Sequence, residues 1–309
     1  MPTDLSNILV IGVSSRALFD LEKENDIFES EGVKVYRQYQ LEHENEILKP
    51  GTAYYLVKNL LELNKYANQQ IVEVVIMSTN SPETGMRIMR SLEEHKLPIS
   101  RMAFTGGQPI SAYIKGFDVD LFLSKDPLEV QKVIDSKSCA AALIYAAPME
   151  FNSSANLVKI AFDADAVIFN EDSEFIYKQN GLEAFQEHEF RNKTNPLLEG
   201  PFAQLLIKLS NIQKHLPVNI EFSPLRLAII TARSAPAHLR VLNTLREWGV
   251  YINEIYFLGG LSKDKILEAF GAHIFFDDQD VHLEPASKIV PSGKVPYSTD
   301  SKLFKNIGE

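Results

Sequence analysis

Cysteine is nearly absent: one thiol, Cys139, stands in 309 residues. That excludes an intrachain disulfide and any zinc site built from several cysteines. Its setting, "SCAAALIYAA", is apolar and small, which suits a buried inert thiol rather than a nucleophile. Long hydrophobic runs are missing too, and none approaches the ~20 residues that a membrane-spanning helix needs. The opening "MPTDLSNILVIGVSS" has no basic region and only a short apolar run. Neither a signal peptide nor a membrane contact is therefore expected, and the expected location is cytoplasmic. Positive charge is short: 31 Lys and Arg face 41 Asp and Glu, for a net charge of −10. Such a chain repels phosphate backbones at long range, which argues against nucleic acid as a partner. A small anionic substrate stays compatible if local cations or a metal hold it.

What is present is ordinary globular material, 45% hydrophobic and 23% charged. It carries a repeat. "ILVIGVSSRALF" and "VKIAFDADAVIF" open two similar halves, and setting Ser14 against Asp163 gives an offset of 163 − 14 = 149. The same offset pairs Gly32 with Gly181 and Gly51 with Gly200. Beyond a four-residue insertion, residues 74–107 lie over 227–260 with nine identities, among them Arg87 with Arg240 and Gly106-Gly107 with Gly259-Gly260. Short apolar runs alternate with helix-length amphipathic segments, the pattern of parallel βαβ units. The expected fold is α/β, with two tandem doubly wound, Rossmann-like domains from an internal duplication, 1–147 and 155–309. The link is expected in "APMEFNSSAN" (147–156), and the proline-bearing end reads as a packed tail.

In parallel α/β sheets the chemistry lies beyond the strand C-termini. In the second half those ends carry Asp163 and Asp165, then Thr231, then Asp277 and Asp278, with Lys263 and Lys265 at a helix start. Several carboxylates at one point cannot all ionise without a cation. Oxygen donors without histidine or cysteine favour Mg²⁺. One carboxylate can attack phosphorus, and a second can protonate the leaving oxygen and then deprotonate water. Thr231 and Lys263 suit phosphoryl oxygens. Position alone does not separate Lys263 from Lys265, nor Asp277 from Asp278.

The set "DADAV", "IITAR", "SKDK" and "FFDDQ" resembles motifs I to IV of the haloacid dehalogenase (HAD-like) phosphatases. More narrowly, "SSRALFDLE", "MSTNSPETGMRIMRSLEEH", "FTGG", "IITARSAPAHLRVLNTLREWGV" and "HIFFDDQDVH" resemble the cytosolic type I 5'-nucleotidases over almost the whole chain. The resemblance implies Mg²⁺-dependent hydrolysis of nucleoside 5'-monophosphates such as AMP through an aspartyl phosphate. It makes Asp163 the nucleophile, Asp165 the acid and base, Thr231 the phosphate-binding hydroxyl and Lys263 the motif III lysine. It places Asp163, Asp165 (through its carbonyl) and Asp277 or Asp278 on the metal. The alternatives are a related phosphatase for another small phosphate ester, or a nucleotide-binding regulatory protein with little turnover. A homo-oligomer is compatible with all three.

The first half lacks this chemistry. Ser14 stands against Asp163, Arg16 against Asp165, Ser78 against Thr231, Ile110 against Lys263, and Ser124 and Lys125 against Asp277 and Asp278. Ser14, Arg16, Ser78 and Asn80 are expected to bind an anion or the nucleoside part of a substrate. The other reading is a scaffold that only buries an interface. Arg233, just after Thr231, is a further candidate for substrate contact.

Overall fold

Each apolar run expected as a strand is one. In a computed structural model, which describes residues 4–148, 151, 157–217 and 223–307, ten strands form one continuous sheet. They are β1 (Leu9–Val13), β2 (Val72–Ser78), β3 (Arg101–Phe104), β4 (Leu121–Ser124), β5 (Ala140–Ile144), β6 (Val158–Phe162), β7 (Leu225–Thr231), β8 (Glu254–Phe257), β9 (Ile274–Asp277) and β10 (Ser292–Lys294). Their order across the sheet is β3-β2-β1-β4-β5-β10-β9-β6-β7-β8. Every neighbouring pair is parallel except β10 with β5. The chain is thus mixed α/β, with two five-strand blocks that read alike from their outer edges inward. The tail is more than packing, because it supplies β10, the strand at the seam. The expected link falls mostly on 149–150 and 152–156, outside the described residues.

The strands lack a polar face because both faces are covered. Leu9, Ile11 and Val13 of β1 and Val158, Ile160 and Phe162 of β6 point into one hydrophobic cluster that runs under both blocks. Val10 and Val75 face a second cluster, and Ala161 and Ile230 a third, on the opposite side. The helices Tyr54–Ala67 and Ala203–Gln213 lie on the shared cluster through Leu56, Val57 and Leu60 and through Leu205, Leu206 and Leu209. Each also reaches across the seam, the first to β6 and the second to β1. Asn59 donates to the Leu157 carbonyl at 2.9 Å and Lys208 pairs with Asp120 at 2.7 Å. A fully buried Leu or Phe contributes roughly 1.5–3 kcal/mol, so this one cluster ties the blocks together far more than the short β5–β10 ladder does.

Two further features position the site. The helices Glu22–Glu42 and Asp172–Arg191 are each broken by a glycine, Gly32 (φ 80, ψ 176) and Gly181 (φ 80, ψ −177), and fold back as hairpins. The turn after the first strand differs between blocks. Ser14 to Phe19 makes one short helix, whereas Asp163 to Phe169 holds one residue more, with Ala166 at φ 59. The offset of 149 therefore slips by one within this turn, so that Ala17 and Phe19 correspond to Val167 and Phe169.

Candidate active site

Asp163 leaves the end of β6, with its backbone N–H held by the Phe276 carbonyl at 2.8 Å. Asp277 closes β9 and Asp278 follows it. All three are buried, and one carboxylate oxygen from each lies within 4.8 Å of the others. Lys263, the residue that precedes the helix Asp264–Phe270, is also buried and donates to Asp163 Oδ1 and Asp277 Oδ2, both at 2.6 Å. Lys265 is exposed and takes no part. Adjacent residues of a strand point to opposite faces, yet Asp277 and Asp278 both join the cluster. Asp277 Oδ1 accepts from the Gln279 N–H at 2.9 Å, and Asp278 Oδ2 accepts from the Tyr297 hydroxyl. Asp278 Oδ1 is buried and has no hydrogen-bond partner among the described residues.

The electrostatics of this cluster call for a cation. Three carboxylates and one ammonium sum to −2 when ionised. Burial pushes Asp163 up to about 6, against the pull of Lys263 and with the push of Asp277 and Asp165. Burial likewise raises Asp277, with Lys263 opposing, and raises Asp278 well above the usual carboxylate range, with Asp277 and Asp163 adding to it. Burial works against the charge of Lys263, but Asp163 and Asp277 beside it hold its pKa above the ordinary value. A divalent cation would balance the −2, satisfy the orphaned Asp278 oxygen and find only hard oxygen donors. The residues present therefore fit a Mg²⁺-type ion.

Asp165 sits apart from the three. Arg233 grips both its oxygens, Nε to Oδ2 at 2.8 Å and Nη2 to Oδ1 at 2.5 Å. The third guanidinium nitrogen donates to Glu189 at 2.5 Å, and Arg240 donates to the other Glu189 oxygen at 2.8 Å. Arg233 is buried, with its guanidinium against the Phe185 ring. All three nitrogens of its guanidinium are thus taken up by Asp165 and Glu189. Thr231 is buried at the end of β7, where its hydroxyl accepts the Arg233 N–H at 3.2 Å.

Glu174, Glu189 and Tyr297 also reach this region, and none of them belongs to a motif legible in the sequence. Glu174 opens the hairpin, accepts from the Gln279 side chain at 3.1 Å, and is raised by burial and by nearby Asp165. Glu189 returns on the other arm; burial pushes its carboxyl up, but Arg233 and Arg240 win and hold it below its usual range. Glu174 and Glu189 lie in segment 171–199, which is too long for a simple connection, and nothing in the sequence around Tyr297 points to the site.

Ser14, Arg16, Ser78 and Asn80 come together elsewhere. They line a cavity of about 590 Å³ at the ends of β1, β2 and β4. Because β5 and β10 run antiparallel, the strand C-termini of the two blocks open on opposite edges of the sheet. None of these four residues meets Asp163.

Fold and site define an α/β protein with an acidic, cation-ready centre at its strand ends. The chain belongs to the 5'-nucleotidase family, whose sequence model matches residues 1–302. It is 35% identical over 297 residues to human (Homo sapiens) cytosolic 5'-nucleotidase 1B, covering 93% of this chain and 48% of that protein. The chain thus spans about half the length of that curated relative. Among solved structures it is similar to a histidinol dehydrogenase from Elizabethkingia anophelis, at 10% identity and a TM-score of 0.23 over 94% of this chain and 54% of that one. A likeness that slight carries no argument. No helix among the described residues is long and apolar enough to cross a membrane.

Proposed function

We propose that the chain is a Mg²⁺-dependent phosphatase that hydrolyses nucleoside 5'-monophosphates, AMP among them, to nucleoside and phosphate. The observation that carries this reading is the buried cluster of Asp163, Asp277 and Asp278 around Lys263. The nucleoside part rests on family membership and on the name of the human relative. That name also supports a cytosolic location for this chain.

Asp163, Asp277 and Asp278, with the backbone carbonyl of Asp165, would hold the ion, which when bound neutralises charge on the phosphoryl group. Asp163 attacks phosphorus with one carboxylate oxygen. The bond from phosphorus to the nucleoside 5'-oxygen breaks, and Asp165, turned out of the Arg233 fork and protonated, gives its proton to that oxygen. Asp165, now ionised, takes a proton from water; the water oxygen bonds to phosphorus, and the bond from phosphorus to Asp163 breaks. Lys263 keeps Asp163 ionised and oriented, and the Thr231 hydroxyl donates to a phosphoryl oxygen.

The same reading treats 1–147 and 155–309 as copies of one ancestral unit, the second retaining the chemistry. The matching strand order, the glycine-broken hairpins and the paired turns at Gly106 (φ 59) and Gly259 (φ 58) support it.

Phosphate release from AMP with Mg²⁺ tests the reaction. EDTA is expected to abolish it, and Asp163→Asn to lower the rate by about a thousandfold or more. Full activity in Asp163→Asn overturns the mechanism. Faster turnover of sugar phosphates than of any nucleotide overturns the substrate class.

A further inference from the structure

The first-half cavity has cations and hydroxyls where the second half has carboxylates, and it opens on the far edge of the sheet. At about 590 Å³ it is of a size that takes a small molecule. Most charges around it are committed. Glu24 is paired with Arg87 at 2.6 Å and Arg37 with Glu83 at 2.5 Å. Asp126 caps the helix Pro127–Ser136, and Glu129 accepts the Ile110 N–H at 2.7 Å. Arg16 and Lys125 differ. Both line the cavity, and both lean on one carboxylate, Glu22, at 3.2 and 2.5 Å. Two cations on one anion leave a surplus positive charge. The Arg16 Nε is buried and has no partner among the described residues. Glu22 is half exposed and does not itself line the cavity, so the cations remain open to a ligand from the inside. The lining is also aromatic: Phe28 and Tyr36 meet edge to face at 5.6 Å across the Gly32 break, and Phe28 is 48% exposed.

We infer that this cavity is a second ligand site, separate from the reacting centre, for a phosphorylated small molecule bearing a planar ring. Arg16 and Lys125 hold the phosphate, assisted by the Ser14 and Ser78 hydroxyls, and Phe28 and Tyr36 pack on the ring. Glu22 is a resident counter-ion that weakens the site. The inference does not depend on the catalytic reading, because the two sites share no residue.

The test is calorimetric titration of the full chain in EDTA, where nothing turns over and the reacting centre is left with its uncompensated carboxylates. The probes are AMP, adenosine and inorganic phosphate. AMP is expected to bind at one site per chain, and more tightly than either fragment. Arg16→Ala with Lys125→Met is expected to weaken AMP by roughly tenfold or more. Glu22→Gln, a half-exposed change that leaves the fold intact, is expected to tighten it roughly two- to fivefold. The inference is overturned if no probe binds, if adenosine binds as well as AMP, or if Glu22→Gln leaves the AMP affinity unchanged.

Discussion

At the scale of single residues, Arg233 shows how placement changes a role. In the sequence it follows Thr231 and reads as a substrate contact. In the structure both oxygens of Asp165 lie in its fork, and its remaining nitrogen is on Glu189. On the proposed mechanism Asp165 has to rotate out of this fork to reach a leaving oxygen, and Arg233 would set where it waits. Arg233→Lys keeps the charge and loses the planar fork. The expected outcome is a kcat lowered by about a hundredfold with KM little changed, since a misplaced acid costs rate rather than binding. A raised KM with unchanged kcat would return Arg233 to substrate binding. The clustered carboxylates themselves were legible, because a strand end is a local feature and Asp163, Asp277 and Asp278 stand where an apolar run ends. Glu189 and Tyr297 were not. They reach the site from segments whose own patterns are polar, and only tertiary packing brings them there.

At the scale of elements, the hairpin over the active site depends on one glycine. Gly181 sits at φ 80 and ψ −177, a conformation almost confined to glycine, with nothing within 4 Å of where a Cβ would be. The cost of a side chain there is backbone strain alone. Gly181→Ala is expected to destabilise by about 1–3 kcal/mol. The strained hairpin also has to swing Glu189 and Glu174 away, so activity should fall as well. The same change at Gly32, also with open space around it, should cost similar stability and leave phosphate release intact, because that hairpin covers the far edge. Chemical denaturation of both variants beside their AMP turnover checks the pair. Equal activity losses would mean that the hairpins do not act locally. Paired glycines in the repeat marked these breaks in advance. The one-residue slip after Asp163 was not visible, since inserting Ala166 at φ 59 leaves the apolar pattern on either side unchanged.

At the scale of the whole molecule, the seam decides whether the halves behave as one. The sequence suggested two domains joined by a link. It could not show β10, because "SGK" has no apolar run and becomes a strand only by lying between β5 and β9. With one sheet and one cluster beneath both blocks, the halves should unfold together. The chain carries its own two reporters. Its single tryptophan, Trp248, packs on Phe169 at 5.5 Å and reports the second half. Its single cysteine, Cys139, lies beside β5 in the first; burial, with Asp120 adding to it, pushes the thiol up to about 12. At pH 8 the folded thiol is therefore almost entirely protonated and resists alkylation, while an unfolded one reacts. Denaturant titrations of Trp248 fluorescence and of Cys139 alkylation should give one coincident midpoint. The sign of the pH effect follows from the same shift. Above about pH 9 the unfolded thiol loses its proton and the folded thiol keeps it, so the unfolded state gains and the midpoint should fall as the pH rises. Cys139→Ser should remove that part of the fall. Two separated midpoints, with Cys139 reactive while Trp248 is still native, would show that the halves are independent and that the seam only brings them into contact.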